Sequence, residues 1–206
     1  MKLFDSHFHL DNEDDPDAII QRANEAGVEQ LTLVSCNAAD VKRNVALTER
    51  IDSLYTTAGV HPLYMKDFDG DMTPFRDAIQ HDKVKAVGEI GLDYYYDKEP
   101  ETLAKQRKYF RKFLELSGET GKVSIIHIRD SFEDAYEDIR DVLQGKTPFI
   151  VHCFTGTPEW AEKFVALGGY ISYSGICTFK NAQDIRDSLA VVPHDRILVE
   201  TASPYL

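Results

Sequence analysis

The stretch VSIIHIRDSFEDAYEDIRDVLQGKTPFIVHCF, residues 123–154, carries the pattern that decides the fold. It begins with a short apolar run, continues through an amphipathic segment and ends in a second apolar run. Apolar residues spaced three and four apart indicate a helix, whereas short apolar runs bounded by turn residues indicate buried strands. A strand, a helix and a strand in this order predict two parallel strands joined by a right-handed crossover.

The same alternation extends over the whole sequence. The β-rich runs are residues 2–9, 30–36, 54–61, 84–91, 123–129, 149–154, 169–175 and 196–200. The amphipathic segments between them are residues 16–26, 38–51, 73–82, 99–120, 131–144, 157–167 and 180–190. Eight such strands predict an α/β fold, a closed (β/α)8 TIM barrel that forms a single domain over residues 1–206. A doubly wound parallel sheet is the alternative.

No amphipathic segment follows the last β-rich run, "RILVE", before the sequence stops at residue 206. We therefore expect the barrel to lack its final C-terminal helix. The outer face of the last strand would then be exposed, which favours association or a lower melting temperature.

Composition limits the classes of function. The 206 residues are 43% hydrophobic, enough to build a core, and carry a formal net charge of −12. This charge offers no basis for nonspecific binding to DNA or to a membrane, so a phosphate ligand would have to be bound locally by metal ions, arginines or helix N-termini. Three cysteines without a CxxC pair favour a reducing compartment. With no apolar N-terminal segment and no membrane-spanning run, we expect a cytoplasmic, monomeric protein.

Metal-ligating side chains stand where the apolar runs end. His7 and His9 are two residues apart on a predicted strand, so they face the same side about 7 Å apart; alone, this pair is slightly better explained by surface or capping histidines. Glu89, His127 and His152 each end a strongly hydrophobic run. Any one of them would ordinarily be a buried, hydrogen-bonded residue. Five such residues at the ends of four strands favour a metal site.

The arrangement suggests how ions would be shared. His7 and His9 would hold one ion, His127 and His152 a second, and Glu89 would bridge them. Mixed imidazole and carboxylate ligands suit Zn²⁺, Mn²⁺ or Fe²⁺, and Mg²⁺ where oxygen ligands dominate, so the residues leave the metal open. Two divalent ions about 4 Å apart would activate water and clamp a phosphoryl group.

Three further residues are candidates for substrate binding: His61, Arg129 and Asp93. A guanidinium at the end of a strand can hold a phosphate, although a salt bridge at the rim explains Arg129 equally well. His61 fits a residue near the substrate or a turn histidine. Asp93 and Tyr94 can line the mouth of the barrel, but the run of three tyrosines also fits packing.

Six motifs together resemble the TatD family of metal-dependent deoxyribonucleases. They are FDSHFHLD (4–11), AGVHP (58–62), VGEIGLDYY (87–95), IIHIRD (125–130), VHCFTGT (151–157) and ILVETASPYL (197–206). The resemblance implies a TIM-barrel hydrolase of the amidohydrolase type that cleaves DNA phosphodiesters, often from the 3′ end of single strands with Mg²⁺ or a related ion. It implies metal roles for His7, His9, Glu89, His127 and His152, and places His61 and Arg129 near the substrate.

One position departs from the family pattern. The family motif at the last strand reads Glu-Thr-Asp, whereas this chain has Ala202 where the Asp is expected to ligate metal and orient water. With Glu89 as the remaining catalytic carboxylate, we expect impaired turnover. Family members also continue into a loop and a final helix. A hydrolase of lactones, amides or phosphotriesters, or a catalytically silent protein that binds DNA or a partner, are the alternatives.

Overall fold

The structure, a computed structural model, describes residues 2–11 and 14–205. Eight parallel strands form one sheet in sequence order. The strands are β1 (Leu3–Phe8), β2 (Val28–Leu33), β3 (Leu54–Ala58), β4 (Val84–Asp93), β5 (Val123–Arg129), β6 (Phe149–Val151), β7 (Tyr170–Tyr173) and β8 (Ile197–Val199). This order confirms the predicted TIM-barrel architecture. The doubly wound alternative is wrong, because such a sheet reverses its strand order at a switch point.

Helices follow the first seven strands. They are α1 (Pro16–Glu25), α2 (Ala38–Arg50), α3 (Thr73–Ala78), α4 (Pro100–Thr120), α5 (Phe132–Leu143), α6 (Pro158–Ala166) and α7 (Gln183–Ser188). Short 3-10 helices lie at Pro62–Tyr64, Gly175–Thr178 and His194–Arg196. Residues 200–205 contain no helix. Within the described part of the chain, no helix combines the length and apolar character needed to cross a bilayer.

Several elements are shorter than the sequence predicts. Helix α3 ends before residue 82 because the amides of Gln80 and His81 bond to carbonyls three residues back, which tightens the chain into a turn. Strands β3, β6 and β8 stop before the polar residue at or near the end of each predicted run. His61, His152 and Glu200 therefore lie in the loops at the carboxyl ends of these strands, on the face where barrels build active sites.

The main core fixes the strand that carries Glu89. Helix α4 buries Phe110, Phe113 and Leu114 in the same apolar cluster as Val87 and Leu92 of β4. Burial of each side chain of this size contributes about 1.5–3 kcal/mol. Helix α4 begins with Pro100 and ends at Thr120, and the positive φ of 67° at the next residue, Gly121, suits a helix C-terminus.

Polar contacts join the first strand to the end of the last one. The amide of Ala202 donates to the His7 carbonyl at 2.9 Å. The buried Asp5 carboxylate accepts the Thr201 amide at 3.0 Å and the Thr201 hydroxyl at 2.7 Å, as well as the His7 amide at 3.2 Å. Asp5 thus connects β1 to the segment after β8, a role that the sequence analysis did not assign. These contacts hold position 202 beside His7.

Candidate metal centre

The structure brings together all five residues for which the sequence predicts a metal role. His7 lies in β1 and His9 one residue beyond it; Glu89 lies in β4, His127 in β5, and His152 directly after β6. All five side chains are buried or nearly so. They converge at the carboxyl ends of the strands.

Glu89 is the centre of this cluster. Its Oε2 lies 3.2 Å from His7 Nε2 and 3.6 Å from His9 Nε2. Its Oε1 lies 2.7 Å from His152 Nε2 and 3.1 Å from His127 Nδ1. Each carboxylate oxygen therefore faces one of the two histidine pairs that the sequence analysis separated.

The protonation states follow from these contacts. Burial alone would raise the pKa of Glu89, but the surrounding imidazoles, His152 foremost, hold it well below its usual range. Burial and the adjacent His7 ring lower the pKa of His9 to about 3, so this ring is neutral near pH 7. Burial disfavours charge on His152 as well, yet the carboxylates of Glu89 and Glu200 raise its pKa well above the usual value.

Two buried carboxylates contact the ring nitrogens of His127 and His152 that point away from Glu89. Asp93 Oδ2 lies 3.0 Å from His127 Nε2, and Glu200 Oε1 lies 3.2 Å from His152 Nδ1. A carboxylate on the far nitrogen fixes the tautomer and orientation of a ligating imidazole. The Asp93 side chain is fully buried, and this position favours a supporting role over the substrate contact that the sequence suggested.

Glu200 is a functional candidate that the sequence analysis missed. Besides His152, it accepts the Cys153 amide at 2.8 Å and the Ser172 hydroxyl at 2.5 Å. A signal was available, since Glu200 ends the apolar run ILV just as Glu89 ends AVG.

His61 also contacts the cluster, but one of its ring nitrogens accepts a backbone hydrogen bond. Its Nε2 lies 3.3 Å from Glu89 Oε1 and 3.3 Å from His127 Nδ1. Its Nδ1, however, accepts the Leu63 amide at 3.1 Å, an arrangement that caps the 3-10 helix Pro62–Tyr64. Neutral His61 must therefore carry its hydrogen on Nε2, so it presents a donor, not a metal-binding lone pair, to the cluster.

Arg129 lies over two aromatic rings at the rim. Its Cζ is 4.1 Å from the Tyr95 ring centroid and 4.7 Å from that of Tyr96. Among the described residues it forms no ion pair within 4.0 Å, so the salt bridge considered from the sequence is not found. The tyrosines differ, because Tyr94 packs on the core and donates to Asp134 at 2.7 Å, whereas Tyr95 and Tyr96 are exposed.

Position 202 adopts an unusual backbone conformation. Ala202 is 6% exposed and has a φ of +51°, in the left-handed region. Asn and Asp are enriched there relative to other non-glycine residues. The local backbone is thus better suited to the expected Asp than to the Ala that this chain has.

The placement of His127 depends on a glycine. Gly91 pairs with His127 in the register between β4 and β5, and its φ is +147°. A Cβ atom at Gly91 would lie 1.9 Å from the His127 carbonyl oxygen. Only glycine allows the two strands to approach this closely beside His127.

The donor set fits divalent cations. Among the described residues, three groups place potential ligand atoms close together: His7, His9 and Glu89; His7, His152 and Glu200; and His61, Glu89 and His127. The Nε2 atoms of His7 and His9 are 3.0 Å apart, and His7 Nδ1 is buried without a hydrogen-bond partner in the described part of the chain. An ion between the two Nε2 atoms would bind both of these convergent nitrogens, and His7 Nδ1 would then carry the hydrogen of the neutral ring. The tautomer of His61 argues against its participation in the third group.

A sequence model of a known family, described as "TatD related DNase", matches residues 4–206. The chain belongs to this family. It is a TatD-family metal-dependent hydrolase, as the motifs predicted.

Named relatives agree with this assignment. The chain is 38% identical to the "Uncharacterized metal-dependent hydrolase YcfH" of Escherichia coli (strain K12), covering 100% of this chain and 79% of the relative. It is 31% identical to the "3'-5' ssDNA/RNA exonuclease TatD" of Erwinia tasmaniensis, over 93% of this chain and 74% of the relative. The crystal structure of the TatD homologue YjjV from E. coli K12 superposes with a TM-score of 0.90 at 30% identity, covering 98% of this chain and 79% of that one.

Proposed function

We propose that the chain acts on phosphodiester bonds of single-stranded DNA, releasing nucleotides from the 3′ end, and that Ala202 limits its turnover. The observation that carries this proposal is the division of Glu89, whose two oxygens face separate histidine pairs. Such a carboxylate suits a bridging position between two cations, and paired cations suit phosphoryl transfer. The activity in the name of the Erwinia relative is consistent with this choice of substrate.

The residues divide into ligands and supports. His7 and His9 would hold one ion, His127 and His152 the other, and Glu89 would stand between them. Bound divalent ions, Mg²⁺ by preference or Mn²⁺ or Zn²⁺, would polarise the phosphoryl group and lower the pKa of water. Asp93 and Glu200 hold two of the rings in a fixed orientation.

Two cationic or donor groups are available for the phosphate. The Nε2–H of His61 faces the cluster, and the Arg129 guanidinium lies at the rim without an ion-pair partner among the described residues. A guanidinium can donate two parallel hydrogen bonds to phosphate oxygens. In a chain with a net charge of −12, such local donors are needed to bind an anion.

Ala202 removes a proton acceptor from this site. Its methyl group can neither orient water nor take a proton, and general-base assistance is worth about 10²–10⁴-fold in rate. The alanine at this position also supports a second candidate function, in which the protein binds DNA at the candidate metal centre without cleaving it. Hydrolysis of a lactone, an amide or a phosphotriester is a third candidate, because the ligand set does not specify the bond that is cleaved.

Cleavage of end-labelled DNA tests the proposal. The chain and its Ala202→Asp variant are stripped with a chelator, supplied with Mg²⁺ or Mn²⁺, and incubated with 5′-labelled single-stranded DNA. We expect a ladder that shortens by single nucleotides, faint for the chain and strong for the variant, and lost in His127→Ala. Metal-dependent binding without any cleavage by either protein would favour the silent DNA-binding candidate; neither binding nor cleavage would leave the non-nucleic-acid substrates.

A further inference from the structure

Exposed aromatic rings concentrate around the mouth of the barrel. Among the described residues, the exposed large aromatic side chains are Phe4, Tyr64, Tyr95, Tyr96, Phe179 and Tyr205. All except Phe4 lie in segments that follow the carboxyl end of a strand. Isolated exposed apolar residues are common on protein surfaces, but a concentration beside a catalytic cleft indicates a binding surface.

Two of these rings form an ordered group with Arg129. Tyr95 and Tyr96 are 50% and 62% exposed, and their ring centroids are 4.9 Å apart at an interplanar angle of 87°. The Arg129 guanidinium covers part of both rings. We call these three side chains the Arg129 platform. At least half of each tyrosine remains accessible, so ring surface is available to a ligand.

The platform is held in place by the metal centre itself. Asp93 Oδ1 accepts the amides of Tyr95 and Tyr96, each at 3.0 Å, while Asp93 Oδ2 contacts His127 Nε2. On β5, Arg129 is two residues beyond His127, about 7 Å along the strand. The two tyrosine rings therefore have a fixed position beside Arg129, whose N–H groups are proposed above to bind the phosphate.

We propose that the Arg129 platform stacks against the base of the nucleotide next to the scissile phosphate, a subsite that rests on the nuclease function proposed above. Aromatic faces and guanidinium planes bind unpaired bases of any sequence. A base in a duplex has both faces stacked already, so the platform selects single strands. Stacking also supplies affinity that the net charge of −12 cannot supply.

Equilibrium binding tests the platform independently of catalysis. The probe is a fluorescein-labelled, single-stranded eight-nucleotide thymidine DNA with nuclease-resistant phosphorothioate linkages, titrated with the chain and Mg²⁺ and followed by anisotropy. We expect the double variant Tyr95→Ala, Tyr96→Ala to bind about 10-fold or more weakly. The double variant Tyr95→Phe, Tyr96→Phe retains both rings and should bind within about 2-fold of the original chain.

A second arginine–tyrosine pair, elsewhere in the barrel, provides the matched control. Tyr170 begins β7, at the opposite end of the strands, and lies 4.8 Å below the Arg196 guanidinium. Tyr170→Ala removes an aromatic ring under an arginine without touching the mouth and should leave the affinity unchanged. Circular dichroism melts verify that each variant is folded.

Probes with one abasic nucleotide at each position in turn locate the contact. One position should weaken binding by the original chain, and this penalty should disappear in the double Ala variant. The stacking proposal would be refuted, even if DNA is cleaved, by either of two results. One is equal affinity of the double Ala variant and the original chain; the other is a loss of affinity at the abasic position that persists in the variant. Ring-dependent binding without cleavage would support the platform and contradict the hydrolytic function.

Discussion

Asp93 and His127 are joined by a contact of 3.0 Å that couples the candidate metal centre to its rim. The Asp93 carboxylate accepts the amides of Tyr95 and Tyr96 with one oxygen and faces His127 with the other. Burial would raise the pKa of Asp93, but the His127 hydrogen bond holds it below its usual range. An anionic acceptor at this position requires a hydrogen on His127 Nε2 and leaves Nδ1 to face Glu89.

Asp93→Asn should weaken metal binding about 10–100-fold. The amide oxygen of Asn can still accept from the tyrosine turn, but its NH2 group would then face His127 Nε2. That donor favours the tautomer with hydrogen on Nδ1, the nitrogen needed for the ion. Isothermal titration of chelator-treated protein with Mn²⁺ measures the loss, and unchanged affinity would contradict the orienting role.

Metal binding should release protons, and its affinity should fall at low pH. The raised pKa of His152 means that the metal-free ring carries a proton that must leave when Nε2 binds an ion. Below that raised pKa, each pH unit should lower the affinity about 10-fold for this proton. His9, with a pKa of about 3, should add nothing near neutral pH. Titrations in two buffers of different ionisation enthalpy count the protons, and a buffer-independent heat would refute the release.

The sequence predicted the barrel and its five ligand candidates because both depend on local patterns. Alternating strand and helix periods define the topology, and the carboxyl ends of parallel strands necessarily share one rim. The roles of Asp5 and Glu200 could not be predicted in this way, since Asp5 contacts Thr201 across almost the whole chain. The state of His61 likewise depends on the Leu63 amide, a detail of the turn geometry.

Asp138→Asn should destabilise the fold without affecting metal binding. The Asp138 side chain is buried between α4 and α5, with its oxygens 2.9 Å from Arg107 Nε and 2.5 Å from an Arg111 terminal nitrogen. Loss of the charge should cost about 1–3 kcal/mol, at the lower end because both arginines are over one-third exposed. For a chain of this size, that cost lowers Tm by about 2–12 °C.

Arg76→Ala is the control for this stability effect. Arg76 pairs with Glu119 at 2.7 Å, but both side chains are about half exposed. Such surface pairs contribute about 0–1 kcal/mol. A Tm loss in Arg76→Ala as large as that in Asp138→Asn would show that burial of Asp138 is not the cause, and a change of Mn²⁺ affinity in Asp138→Asn would contradict its separation from the metal centre.

Ala202→Asp should restore function, and the backbone allows the effect to be separated from folding. Since position 202 is left-handed with φ at +51°, Asp and Asn should both be tolerated and leave Tm equal to or above that of the original chain. Only Asp supplies a carboxylate that can take a proton beside His7, whose carbonyl accepts the residue 202 amide. We expect Ala202→Asp to tighten binding of the ion assigned to His7 and His9 and to raise DNA cleavage at least about 10²-fold, whereas Ala202→Asn recovers little. Folded Ala202→Asp protein with unchanged metal stoichiometry and unchanged cleavage would show that position 202 is not the missing ligand.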